Sequence, residues 1–288
     1  MGKDAKDQVF INWSESAAFW DKHRSARRAM FGPIIPELRV DAGIPASLGT
    51  GHYRVLDIAA GPGDAAIDIA EGLGSNADVW CTDLVAEMVR IAERSAAESG
   101  TANVHFADCR AEDLPFEANV FDAVVCRFGI MFFSDPPGAI RETLRVLKSG
   151  CRFVHCVWGA RQANPFHCVI QDVLDRYVPG PATDPDAPGA YRFAPTGKLA
   201  AIVREANAAD IRERVLGFNI EAPLSFDQFF EVRTEMSDSL RDKLRQMPPD
   251  QRLSFKEDVR QNATPYFTRA GFSFPAEVLL VSGNKPAA

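Results

Sequence analysis

Residues 55–64 read Val-Leu-Asp-Ile-Ala-Ala-Gly-Pro-Gly-Asp, an apolar strand that runs through Asp57 directly into a glycine loop at Gly61 and Gly63. A strand ending in a glycine turn that feeds a helix lets backbone approach a ligand where side chains would block it. Around this point short apolar runs alternate with helical patterns. The runs are 53–58, 78–82, 104–106, 121–126 and 152–157, and the helical segments are 64–73, 85–99 and 136–147. Such alternation predicts an α/β fold: a Rossmann-like, doubly wound sheet, mostly parallel, with helices on both faces.

The flanking sequence extends that core. Residues 8–40 carry Phe10, Trp13, Phe19, Trp20, Met30, Phe31, Ile34, Ile35 and Leu38. They predict one or two amphipathic helices, broken near Gly32-Pro33. Residues 179–197 read as a long irregular loop, followed by a helix near 196–207 and a strand near 211–218. Residues 225–267 are helical, opened by a capping box of Ser225 and Gln228. A final strand at 276–282 is expected to run antiparallel. The expected organisation is an N-terminal helical cap (1–48), a cofactor-binding core (49–160), and a segment (161–288) holding the loop, the remaining strands and a helical insertion (225–267).

Composition excludes some partners. The 288 residues carry a net charge of −7, which argues against a nucleic-acid backbone as ligand. No apolar stretch approaches the ~20 residues of a membrane span. Residues Met1 to Asp7 lack a secretory apolar region, and Lys6 stands where myristoylation needs Ser or Thr. The six cysteines are scattered, most of them within apolar runs, as reduced cysteines of a cytoplasmic protein are. No metal site is expected, because no paired Cys-x-x-Cys spacing exists and His155-Cys156 point to opposite faces of one strand. The basic run Lys22, Arg24, Arg27, Arg28 reads as the solvated face of a helix.

Gly61-Pro62-Gly63-Asp64-Ala65-Ala66 satisfies the dinucleotide pattern G-x-G-x-x-A. Asp57, however, places a carboxylate where a pyrophosphate would pass, and it suits a ligand with an ammonium end. Asp83, twenty residues beyond Gly63, ends the second strand where an acid takes ribose hydroxyls. An amino-acid head and a ribose without phosphates describe S-adenosylmethionine.

The ordered motifs 55–64, 83–88, 108–116, 121–129 and 141–150 resemble those of class I S-adenosylmethionine-dependent methyltransferases. The likeness is strongest to the subgroup with the ubiquinone and menaquinone biosynthesis C-methyltransferases. There are departures: Ala60, Pro62, Ala86 and Ser149 replace residues usual at those positions. The resemblance implies that backbone at Ala59, Gly61 and Gly63 wraps the methionine moiety and that Asp83 holds the ribose. It sets Leu84 and Met88 against adenine, Asp108 and the Cys109 amide at the ring's edge, and the Arg127 backbone near the sulfonium. Asp57 either meets the ligand or orients the loop, and Met88 is either an adenine contact or helix core.

Asp135-Pro136-Pro137 mimics the amino-methyltransferase motif, but Gly138 follows where an aromatic is needed, so it reads as a helix start. The expected activity is methyl transfer to O, N or C of a small, apolar or aromatic metabolite. Phe128, Met131, Phe132, Phe133, Trp158, Trp13, Phe19 and Trp20 are expected around it. His23 and His167 are candidate bases, and Tyr191 is either a lid residue or a loop anchor. Catalytic residues and oligomeric state are left open. Two other readings stand beside this one: a nicotinamide-dependent oxidoreductase, and a non-catalytic cofactor-binding partner of another subunit.

Overall fold

The computed structural model describes residues 3–180 and 184–287, with side chains from residue 9 onward. The leader and lipidation readings rest partly on Met1 and Gly2, which lie outside the described residues. Part of the predicted 179–197 loop, residues 181–183, does too.

Strands β1 (Tyr53–Ile58), β2 (Ala77–Asp83), β3 (Val104–Asp108), β4 (Phe121–Arg127) and β5 (Leu147–Trp158) pair in parallel. β8 (Gly271–Asn284) then pairs antiparallel with β5, with β6 (Ala209–Ala222) and with the short β7 (Phe267–Thr268). The sheet order is β3-β2-β1-β4-β5-β8-β6. The expected fold class stands, antiparallel last strand included. The order reverses between β1 and β4, where the crossovers leave in opposite directions and open a crevice at the strands' carboxyl ends.

Helices α4 (Asp64–Leu73), α5 (Ala86–Ser99) and α6 (Pro136–Val146) fall where the periodicity predicts. α6 is started by Asp135, whose carboxylate accepts from the Gly138 amide at 3.0 Å, with Pro136 and Pro137 in the first turn. Its end differs from expectation. Lys148-Ser149-Gly150 does not close the helix; it already belongs to β5, and the Gly150 amide donates to the Lys285 carbonyl at 2.9 Å.

The N-terminal segment forms three helices, not one or two: α1 (Lys3–Lys22), α2 (Arg24–Phe31) and α3 (Ile35–Asp41), with breaks at His23 and at Gly32-Pro33. The helix α7 (Pro165–Tyr177) goes unpredicted. Its apolar residues 166, 169, 170, 173 and 174 keep helical spacing behind Pro165 at the first position. α8 (Lys198–Glu205) follows. The 225–267 region resolves into α9 (Phe226–Glu235), α10 (Asp238–Gln246) and α11 (Arg252–Ala263). The capping box is present: Ser225 Oγ accepts from the Gln228 amide, and Gln228 Oε1 from the Ser225 amide.

The basic run is not a solvated face. Arg27 is 1% exposed and grips Asp64 at the start of α4 through Nε and Nη2, at 2.6 and 2.9 Å. Its neighbours bind acids of other elements: Arg24 pairs with Glu98, Arg28 with Asp68, and Lys22 with Glu231 and Glu235. Periodicity identifies the polar side of a helix. It does not reveal that another helix supplies carboxylates to it.

Candidate active site

A cavity of about 1210 Å³ opens at the crevice between β1 and β4. Its near wall is the loop after β1 with the ends of β2 and β4. α1, α7, α9 and the segment around Tyr191 close the far side.

The near wall is held by backbone bonds. The Ala60 amide donates to the Thr82 carbonyl at 2.9 Å and the Gly63 amide to the Ala60 carbonyl at 3.1 Å, so the loop folds back on the strand ends. Gly61 has φ +56° and open space where a Cβ would stand; Gly63 has φ +82°. A Cβ on Gly63 would come within 2.8 Å of Ala92 Cβ, so this glycine also sets how closely α4 and α5 pack. Ala59 and Phe128, both at the rim, take left-handed backbone at φ 52° and 62°. Such conformations in non-glycine residues are held by surrounding structure and gather at binding sites.

Asp83 is the organising side chain. Oδ2 accepts from the Gly61 amide and Oδ1 from the Val85 amide, each at 2.9 Å, so one carboxylate clamps the glycine loop to the start of α5. Burial raises its pKa, while the amides of Val85, Gly61 and Leu84 oppose the rise. With three amides at its two oxygens, the carboxylate still keeps lone-pair capacity for a ligand hydroxyl.

Of the residues predicted for the cofactor, Ala59, Gly61, Asp83, Leu84, Met88, Cys109 and Arg127 line the cavity. Asp57, Gly63 and Asp108 do not. Asp57 lies beneath the loop, 1% exposed, and its carboxylate oxygens have no hydrogen bond of normal geometry. Burial pushes its pKa up to about 7, against the pull of Arg127 and of the Ala66 amide. Asp108 stands exposed at the rim, paired in register with Asp83. The Cys109 amide is already engaged by the Asp83 carbonyl at 2.9 Å, so it is not free for a ring nitrogen. Met88 is both core and wall, 2% exposed and packed with Val85 and Ile91.

The expected aromatic surround is present. Phe128 stacks on Trp158 with centroids 4.3 Å apart and planes 9° from parallel, and Phe31 meets both rings edge-on. Trp13 meets Trp20 and Phe132 edge-on, bringing α1 down over the opening. Phe133 and Met131 line the wall, while Phe19 does not. Instead Phe19 lies under the Arg241 guanidinium.

His23 stands off the cavity, bound to Glu235 at 2.6 Å. His167 lines it, packed on Trp158, with its pKa driven well below the ordinary imidazole value by burial and by the Arg233 charge. Tyr191 lines it too, its buried hydroxyl beside the Cys168 thiol and short of any other partner. The sequence reading passed over Arg27, Asp64 and Arg233. The first two form the buried pair under the near wall, joined by Arg127 at 3.8 Å from Asp64. Most basic side chains of the wall are matched to acids: Arg110 to Glu112, Arg161 to Asp172, Lys243 to Asp175. All six cysteines are free. Among the described residues no group of acids, histidines and cysteines could hold a metal ion, and no helix is long and apolar enough to cross a membrane.

The model of the ubiE/COQ5 methyltransferase family matches residues 44–173. A ubiquinone/menaquinone biosynthesis C-methyltransferase of Rhizobium meliloti is 32% identical over 207 residues, which are 66% of this chain and 73% of that protein. The chain belongs to the ubiE/COQ5 methyltransferase family. A relative of the same description from Sinorhizobium fredii is 37% identical over 133 residues, about half of its length (47%) and 46% of this chain. The crystal structure of the YcgJ protein from Bacillus subtilis shares the fold. Its TM-score is 0.54 at 22% identity, covering 90% of this chain and 99% of that one. As a member of this family the chain is an enzyme that transfers a methyl group from S-adenosylmethionine to a small molecule. Membership, and not the glycine spacing, separates it from nicotinamide dinucleotide enzymes.

Proposed function

We propose that S-adenosylmethionine lies along the near wall and that a small apolar or aromatic acceptor fills the ring-lined far half. The residues present fit such a donor. The loop carries open, left-handed backbone at Gly61, and the buried carboxylate of Asp57 has no hydrogen bond of normal geometry. Ala59 and Gly61 would hold the methionine moiety by backbone, with Gly63 and Asp57 acting from beneath. Asp83 would take the ribose, Leu84 and Met88 the adenine faces, and Asp108 its amino group from the rim. Cys109 would contribute its side chain and Arg127 its backbone at the sulfonium end. The bound donor supplies an electrophilic methyl on a sulfonium. The protein's share is to align the acceptor and exclude water.

In this reading residues 49–160 are the donor platform. The helices of 1–48 and the insertion at 225–267 shape the acceptor side. Aromatic faces there would also favour a nearby cationic sulfur.

The observation that carries the proposal is Asp83, which clamps loop and helix while facing the cavity with lone pairs to spare. Asp83→Ala should weaken S-adenosylhomocysteine binding by about 1–3 kcal/mol, from lost charge-assisted hydrogen bonds. Titration calorimetry measures this, and an unchanged affinity would remove Asp83 from the cofactor site.

A further inference from the structure

Arg233, on α9, is the basic side chain of the cavity wall that has no acidic partner among the described residues. Its guanidinium lies over the Phe166 ring, 4.6 Å from the centroid, and its Nε is buried without a hydrogen bond. A guanidinium removed from water costs free energy unless a counter-charge or acceptors replace the lost hydration. The acids on this wall are committed elsewhere: Asp172 to Arg161 and Asp175 to Lys243. Asp238 sits in the first turn of its own helix, where the dipole favours its charge.

Two further donors stand on the same wall. Arg233 Nη2 lies 3.3 Å from His167 Nδ1. A guanidinium only donates, so Nδ1 accepts and the imidazole proton resides on Nε2. Nε2 is buried and unpartnered, as is the Tyr191 hydroxyl apart from its thiol neighbour.

We propose that Arg233, with His167 and Tyr191, is a seat for a carboxylate, and that the methyl acceptor is a small acid whose apolar body packs on the rings of Phe128 and Trp158. A guanidinium, on a wall that also holds two neutral donors, matches the two oxygens and four lone pairs of a carboxylate. This rests on the far half of the cavity being the acceptor side.

The test uses the whole protein saturated with S-adenosylhomocysteine, titrated calorimetrically with benzoate and, separately, with benzyl alcohol. Benzoate should bind saturably and at least about tenfold more tightly than the alcohol, as a charged hydrogen bond requires. Arg233→Gln should erase that preference while binding S-adenosylhomocysteine as the unmodified protein does, which also shows that it folds. Tyr191→Phe, a smaller change, should weaken benzoate in the same direction and serves if the arginine variant fails to fold. Absence of saturable benzoate binding, equal binding of the alcohol, or a preference untouched by both variants overturns the seat. Failure of the unmodified protein to bind S-adenosylhomocysteine would instead overturn the underlying placement of the donor.

Discussion

Along the ends of β1 and β2 the cavity wall is largely backbone, set by residues 57–63 and 82–85 and fixed by amide bonds to strand ends and to Asp83. Across the cavity the wall is side chain, gathered from α1, α7, α9 and the segment at Tyr191. The near wall is therefore written in one stretch of sequence and changes little with side-chain identity away from Asp83 and the glycines. The far wall needs segments over two hundred positions apart, and single replacements there change its chemistry. An enzyme family can keep one donor on the first and exchange acceptors on the second.

The largest effect expected from testing this contrast lies beneath the near wall. Arg27→Met should cost about 3–5 kcal/mol of stability, because it leaves Asp64 buried without its main partner. Denaturant melts measure it; a loss under about 1 kcal/mol would mean that the cap and the platform are independent.

Asp57 comes next. Its folded pKa of about 7 lies above its ordinary value of 3.8, so the folded state holds the proton more tightly. The stability this confers is complete below about pH 4 and is lost as pH rises through 7. Asp57→Asn should therefore raise the melting temperature of the cofactor-free protein at about pH 8, with the difference closing towards about pH 4. Parallel melting curves across that range would show that the buried carboxylate costs nothing.

The smallest effect belongs to the ring stack where β4 and β5 end. Phe128→Leu removes the stack on Trp158 and should raise the acceptor KM by an amount equivalent to about 0.5–1.5 kcal/mol. S-adenosylhomocysteine affinity should stay unchanged in calorimetry. A matching loss of both affinities would erase the division of the cavity into two halves.

Legibility followed the same contrast. β1, α4 and α6 were readable because their signals are local: alternating burial, a glycine turn, an Asp135 cap. The near-wall residues share that locality. What escaped was tertiary. Arg27 reads as a surface arginine until α4 presents Asp64 to it, and Arg233 is one more charge on a helix until Phe166 and His167 close over it. The Cys109 amide shows the opposite error: the pattern sets it at a ring, whereas the Asp83 carbonyl already satisfies it. α7 is different again. Its signal is local, apolar residues 166, 169, 170, 173 and 174 behind Pro165, and is as legible as that of α6.

The bond between Arg27 and Asp64 also sets which part of the N-terminal cap stays fixed. Swinging α2 outward would strand a carboxylate in the protein interior, so that helix behaves as a fixed jamb. α1 beyond it is fastened from the outside, through Lys22 to Glu231 and Glu235, and through Ser16 to Arg241. The Lys22 pairs are exposed, and water can replace them at little cost, whereas Ser16 is buried. Salt in the medium should therefore loosen the Lys22 catch on α1 without disturbing the frame.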